Sequence, residues 1–316
     1  MIRLHLPALA IAVSVAGKGH KSGSLSRSGA LAAAAAGYAA LANPLGLWGA
    51  CLLGFYLAGS RATKVKAAVK VTYEQPEHAH APSPSKPAKA GGNRNALQVA
   101  CNALLGCICA VAWRVLYEGS WEAGERFCVV DKFDEGDARR WSRVLVLAAV
   151  AFWAGCCGDT FASELGILSY RPPFLLSTLS VAPRGTNGAI SAWGTLVSLL
   201  GGLFVGALAV GTLAVQGQAK ECGAGWGWTG ELMAVGGLAG LGGSALDSLL
   251  GLLFQPTYYS PSLKLVVHSP PGSPSVPKDT VVLPGTAVLG HWLSNNGVNL
   301  VSTAAVAVAG AAYASM

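Results

Sequence analysis

Val144-Leu-Val-Leu-Ala-Ala-Val-Ala-Phe-Trp-Ala154 is an apolar run without a charge, and Gly158-Asp-Thr-Phe-Ala-Ser-Glu-Leu-Gly166 follows it closely. The run reads as a membrane helix. Asp159 and Glu164 stand at its mouth, where a carboxylate costs several kcal/mol unless something pairs with it. The usual partners are a metal, an arginine or a phosphate-bearing ligand. Further along comes Pro183-Arg-Gly-Thr-Asn-Gly188, a turn with two glycines and one guanidinium.

The rest of the chain has the same character. Of its 316 residues, 52% are hydrophobic and only 12% charged, against about 25% charged in soluble domains. Many of the 41 glycines fall inside apolar runs, where small residues let helices approach in lipid. The expected fold is all-α: a polytopic integral membrane bundle of about eight spans in one domain, residues 1–316. The spans are read at 2–17, 28–42, 45–60, 95–116, 142–158, 188–214, 231–254 and 285–312. The first three are short for a hydrocarbon layer of about 30 Å. The first is read as retained rather than as a cleaved signal peptide.

Charge sets an expected orientation. With eight spans and the N-terminus outside, 14 of the 22 Lys and Arg fall in inner loops, as the positive-inside rule requires. The net charge of +7 then reflects topology and attraction to anionic headgroups of the lipid bilayer. Nucleic acid is not an expected partner, because the basic residues are not interleaved with exposed aromatics. Residues 74–92 read as a disordered inner linker rich in Pro, Ser, Ala and Lys, and residues 255–284 as a long inner loop. The eight cysteines lack zinc-site spacing. Cys128 and Cys222 both fall outside and could pair.

Polar residues converge at the inner ends of four spans. Asn95, Gln98 and Asn102 share a face of the fourth. Thr160 shares a face with Glu164, and Asp159 with Ser163. Ser244, Asp247 and Ser248 line the seventh, and Asn295, Asn299 and Ser302 the eighth, with Asn296 beside them. Lone amides in membrane helices often serve only as interhelical hydrogen bonds. Asp159, Glu164 and Asp247 carry more, since intramembrane carboxylates mark functional sites. Three carboxylates at one depth suit a hard cation such as Mg²⁺, or else a proton or cation relay. In the turn, Gly185 and Gly188 permit positive φ, so that backbone N–H groups of Thr186 and Asn187 could face an anion beside Arg184. An ordinary helix cap at Thr186 or Asn187 is the plainer alternative. No Walker-type loop and no Ser/His/Asp set is present.

Five blocks carry a resemblance: Gly92-Asn-Arg94-Asn-Ala-Leu-Gln98-Val, Gly158 to Gly166, Pro183 to Gly188, Asp247-Ser-Leu-Leu-Gly251 and Leu293-Ser-Asn-Asn-Gly-Val-Asn-Leu300. In this order they resemble the transmembrane protein 19 family, which includes the plant phytyl-phosphate kinase. The resemblance implies a phosphotransferase that converts an isoprenoid monophosphate and a nucleoside triphosphate into the diphosphate. It implies Mg²⁺ held by Asp159, Glu164 and Asp247. It implies triphosphate contacts from Arg184, Gly185, Thr186, Asn187 and Gly188, with Thr160 and Ser163 close to the bound ligands. Arg94 and Lys64 would hold the acceptor phosphate, and Asn295, Asn296 and Asn299 would orient ligands. The rival classes are a transporter or channel for a small ion or lipid, and a non-catalytic scaffold. No hydropathy repeat of the transporter kind is visible. Without a long transit peptide ahead of the first run, an ER-like endomembrane is the expected location and a plastid envelope the alternative.

Overall fold

The computed structural model describes residues 4–73, 93–132, 139–223, 226–274 and 276–316; the expected linker 74–92 lies outside them. Its helices are α1 (Leu6–Lys21), α2 (Arg27–Leu41), α3 (Leu47–Lys64), α4 (Ala67–Lys70), α5 (Ala96–Glu122), α6 (Arg140–Gly166), α7 (Ala192–Val215), α8 (Gln218–Glu221), α9 (Trp226–Phe254) and α10 (Asn295–Ala314). Strands β1 (Phe174–Leu175), β2 (Ser180–Val181) and β3 (Ala189–Ile190) join α6 to α7. Strands β4 (Tyr258–Ser260), β5 (Leu265–Val267) and β6 (Val281–Val282) follow α9.

Among the described residues, eight long helices match the eight apolar runs one for one. Five of them, α5, α6, α7, α9 and α10, are long and apolar enough to cross a membrane. The chain is therefore a multi-pass helical membrane protein. Helices α1, α2 and α3 have only 16, 15 and 18 residues, or roughly 22–27 Å at 1.5 Å per residue.

Polar side chains set where several helices begin. Ser26 Oγ accepts from Gly29 N at 3.0 Å. Asn95 and Gln98 form a reciprocal capping box, so two of the three residues in that polar stripe serve the start of α5. Ser191 and Ser294 cap α7 and α10.

The element ends correct several expectations. The last span begins at 295, not 285, because Gly285 and Gly290 adopt positive φ, which breaks a helix. The sixth begins at 192, not 188: Gly188 has φ +77°, and Ala189–Ile190 pair with Phe174–Leu175. The 255–284 loop contains an antiparallel sheet in the order β5-β4-β6. The fifth span runs two turns past 158, so that Asp159 and Glu164 stand on α6 itself.

Helix α6 is the hub, contacting α3, α5, α7, α9 and α10. Its contacts with α7 and α9 are backbone to backbone. A Cβ on Gly158 would lie 2.6 Å from Gly240 Cα, and one on Gly240 would lie 2.7 Å from Gly202 Cα. Only glycine permits that approach, and dispersion between the bared backbones holds the three helices together. Away from the glycines, α3 and α5 pack through aromatic rings, with Trp48 and Trp113 centroids 6.3 Å apart and Tyr117, Trp121 and Phe127 beyond. Cys128 and Cys222 form a disulfide. It ties the connection before α6 to the one before α9.

Candidate functional site

Polar groups gather at the end of the bundle where α6 and α9 finish and α5 and α10 begin. They form two clusters on different faces of α6. The split follows from helix geometry: five residues turn through about 500°, which leaves Asp159 and Glu164 roughly 140° apart.

The first cluster lies between α6, α9 and α10. Asp159 and Asp247 are near enough for their charges to repel. Ser302 lies close to Asp247 and donates its hydroxyl to Asn299 O at 3.1 Å. Asn299, with its amide nitrogen turned to the acceptors, donates to Asp247 Oδ2 and to Asn295 O, each at 3.0 Å. Asn295 opens α10 and is exposed, and Asn296 is half-buried. The packing of Gly158 against Gly240 brings the two aspartates together, because Asp159 is the next residue on α6.

The second cluster lies between α3, α4, α5 and α6. Thr63 Oγ1 donates to Glu164 Oε1 at 2.9 Å, and Lys70 Nζ donates to Glu164 Oε2 at 2.6 Å. Lys70 also donates to the carbonyls of Ala62 and Thr63. Arg94 donates to Ser60 Oγ at 3.3 Å and Thr63 Oγ1 at 3.4 Å. Its backbone is fixed as well: Arg94 N donates to Ser24 O, and Arg94 O accepts from Ser26 N. Thr160 faces this side, against Gly59. Ser163 is exposed and donates to Thr160 O.

The three carboxylates expected as one Mg²⁺ set are thus separated. Among the described residues, no three of His, Cys, Asp and Glu come together as a metal-holding group. The pair Asp159 and Asp247 still suits Mg²⁺, which takes one or two protein carboxylates and fills its remaining positions with water and phosphate oxygens. Lys64 ends α3 and is exposed; Lys70, in α4, is the lysine that reaches Glu164. Lys70 and Thr63 were not legible as site residues. Lys70 arrives through a short helix that follows Lys66 in a left-handed conformation, φ 46°.

The Pro183–Gly188 turn departs further from expectation. Arg184 Nη2 donates to Ser169 O at 2.7 Å and Tyr170 O at 3.1 Å, and its guanidinium lies 4.8 Å from the Tyr73 ring centre. Its Nε is buried without a partner. Thr186 N donates to Pro183 O. Asn187 N donates to Thr257 Oγ1, and Asn187 Nδ2 to Pro256 O. Gly185 has φ +86°, and Gly188 presses on Leu252 of α9. The turn docks on the α9 exit, and its Thr186 and Asn187 N–H groups already have acceptors. Neither residue caps α7.

An apolar cleft opens beside the second cluster, between α1, α2, α3 and α5. Arg94, Gln98, Tyr56, Asn102 and Thr160 are its polar lining, and Ala12, Ala33, Ala36, Leu52 and Leu53 are among its apolar walls.

Comparison with known proteins places the whole arrangement in one family. Protein PGR of Arabidopsis thaliana is 30% identical over 265 residues, covering 81% of this chain and 77% of that protein. An uncharacterized membrane protein of Methanocaldococcus jannaschii is 35% identical over 115 residues, 36% of this chain and 41% of its own length. Protein VTE6, chloroplastic, of Arabidopsis thaliana is 28% identical over 151 residues, 48% of this chain and 36% of that protein. No solved structure matches. The family model for the integral membrane protein DUF92 matches residues 10–307, which include both clusters and the cleft. The chain belongs to the DUF92 family of integral membrane proteins.

Proposed function

We propose that this protein is a membrane kinase of isoprenoid monophosphates, with a nucleoside triphosphate as donor. The observation that carries the reading is the proximity of Asp159 and Asp247, near enough for their charges to repel. Two carboxylates close enough to repel within a helical bundle call for a cation, and a cation-holding pair is what phosphoryl transfer needs. The resemblance to the transmembrane protein 19 family, with its phytyl-phosphate kinase, supports the same substrate class.

Each group then has a role. An oxygen of the acceptor phosphate attacks the γ-phosphorus. The bond from that phosphorus to the β–γ bridging oxygen breaks, and the nucleoside diphosphate leaves. The acceptor is already an anion, so no strong general base is required. Arg94 holds the acceptor phosphate at the mouth of the apolar cleft. Asp159 and Asp247 would hold Mg²⁺, with Asn299 fixing the orientation of Asp247. Mg²⁺ there would neutralise phosphate oxygens. Arg184, whose Nε lacks a protein acceptor, contacts the triphosphate. Glu164 acts through Lys70 and Thr63, which keep the floor of the Arg94 site in place. The chloroplastic label of one relative supports a plastid envelope as the membrane.

The test is direct. Purified protein in detergent or nanodiscs is given a panel of prenyl monophosphates with ATP, CTP, GTP or UTP and Mg²⁺. Formation of prenyl diphosphate is expected with at least one pair. No diphosphate from any pair would remove the kinase reading. Nucleotide-independent, pH-dependent flux in liposomes would put a transporter in its place.

A further inference from the structure

We infer that the cleft between α1, α2, α3 and α5 receives the single hydrocarbon tail of a phosphate-bearing lipid, and that Ala36 and Leu53 near its far end set the longest tail admitted. The inference rests on the kinase reading only for the identity of the head group.

The lining is graded along the helix axes. Arg94 and Gln98 stand where α5 begins, at the polar end of the bundle. Tyr56 and Thr160 come next, each within two turns or so of the ends of α3 and α6. Beyond them Ala12, Ala36, Leu52, Leu53 and Ala103 are apolar and mostly small. From Arg94 to Ala103 the cleft runs roughly 14 Å at 1.5 Å per residue. One turn past Leu52, Trp48 is fully buried and stacks towards Trp113. The Cys107 thiol, one turn past Ala103, lies 3.5 Å from Ala36 O. The cleft is therefore charged at one end and mostly apolar beyond, with Asn102 beside Ala103 donating to Gln98 O, and the Trp48–Trp113 pair stands as an aromatic plug one turn past Leu52.

That gradient selects the occupant. A free anion would gain nothing from the apolar walls, and a neutral lipid would make no use of the Arg94 cation at the mouth. A two-tailed phospholipid asks for twice the width, and α1 and α2 touch at the cleft wall, where a Cβ on Gly37 would lie 3.1 Å from Ala12 Cβ. One tail with a phosphate head matches both ends. Each further buried methylene adds about 0.8 kcal/mol until the plug is met, so the far end decides chain length.

The experiment uses the full-length protein in nanodiscs without nucleotide. Binding of geranyl, farnesyl and geranylgeranyl monophosphate is measured by competition against a radiolabelled prenyl phosphate, with phosphatidic acid as a further competitor. Ala36→Phe is expected to lower the geranylgeranyl-to-geranyl affinity ratio by about tenfold or more. Leu53→Ala is expected to raise the same ratio. Arg94→Gln is expected to weaken all three ligands alike and leave the ratio in place. The inference is overturned if neither Ala36→Phe nor Leu53→Ala moves the ratio, or if phosphatidic acid competes as well as the prenyl phosphates. Because no turnover is needed, the two failures separate. Chain-length-dependent binding without diphosphate formation would sink the kinase reading alone. Diphosphate formation with an unmoved ratio would sink the tail site alone.

Discussion

Helix α6 carries a charge near each end, and the two ends are built on opposite principles. Near its start, Arg143 donates to both oxygens of Glu231, at 2.8 and 2.5 Å, and to the carbonyls of Val130 and Ala314. Tyr313 donates to Glu231 as well, at 2.8 Å. Every charge there has an opposite, and every opposite has a second hydrogen bond. Near the other end Asp159 and Asp247 are near enough for their charges to repel, and among the described residues no Lys, Arg or His forms a salt bridge with either. A balanced cluster fastens α6, α9 and α10 together. An unbalanced one would be neutralised by the cation proposed for it. The contrast separates structure from function on one helix, since both clusters use the same neighbouring elements.

The largest effect expected from breaking the contrast is at the unbalanced end. Asp159→Asn keeps the shape and removes one of the two like charges. Turnover is expected to fall roughly three orders of magnitude, or about 4 kcal/mol in barrier. The folded protein should persist, because relieving repulsion does not loosen the packing. A diphosphate assay beside a thermal melt reads both; a lowered melting temperature with near-normal turnover would reverse the assignment.

At the balanced end the sign of the outcome changes. Arg143→Ala leaves Glu231 buried without its partner and is expected to destabilise the fold by about 3–5 kcal/mol. The double variant with Glu231→Gln should recover part of that loss. A denaturation series on both variants checks it, and an unaltered midpoint for Arg143→Ala would contradict the structural role.

A smaller effect joins the two regions through packing. Gly158→Ala places a methyl against the Gly240 backbone and is expected to cost about 1–3 kcal/mol. It should also reduce turnover, by moving Asp159 away from Asp247. Gly119→Ala, where a Cβ meets nothing within 4 Å, is the control and should be neutral or slightly stabilising. Equal effects at both positions would show that the close approach is unimportant.

The smallest effect lies outside the membrane helices. The Asp279 carboxylate accepts from Ser262 N at 2.7 Å and Ser260 Oγ at 3.0 Å, and chiefly the Ser262 amide holds its pKa below the usual carboxylate range. A depressed carboxylate stabilises the folded loop above its unfolded pKa, about 3.9, and that contribution is lost as pH falls through the lower folded value. Amide exchange at Ser262 should therefore quicken only below about pH 4. Exchange that is flat across that window would remove the contact.

Much of this was legible in the sequence, for physical reasons. The apolar runs located all eight long helices, because length and absence of charge are local properties. Period-3.6 stripes put Asp247 on one face of its helix and Asn299 and Ser302 on one face of another, and the structure brings Asn299 onto Asp247. The same arithmetic, applied to Asp159 and Glu164, would have set them on different faces, yet they were expected in one metal set. What stayed hidden depends on distant partners. Asn187 N is taken by Thr257, 70 residues away, so the glycine turn reads as an anion cradle until its acceptor is seen. Lys70 reaches Glu164 across 94 residues. The cleft is a joint product of four helices, and no single segment announces it.

The central claim is that Asp159 and Asp247 together hold one divalent cation. Mn²⁺ binding, followed by electron paramagnetic resonance on purified protein in the presence of a prenyl monophosphate, tests it without requiring turnover. The account predicts one bound ion per chain in the wild type, displaced by excess Mg²⁺, and its loss in Asp159→Asn and in Asp247→Asn while Glu164→Gln retains it. No bound ion in the wild type, or an ion that survives both aspartate substitutions, would contradict it.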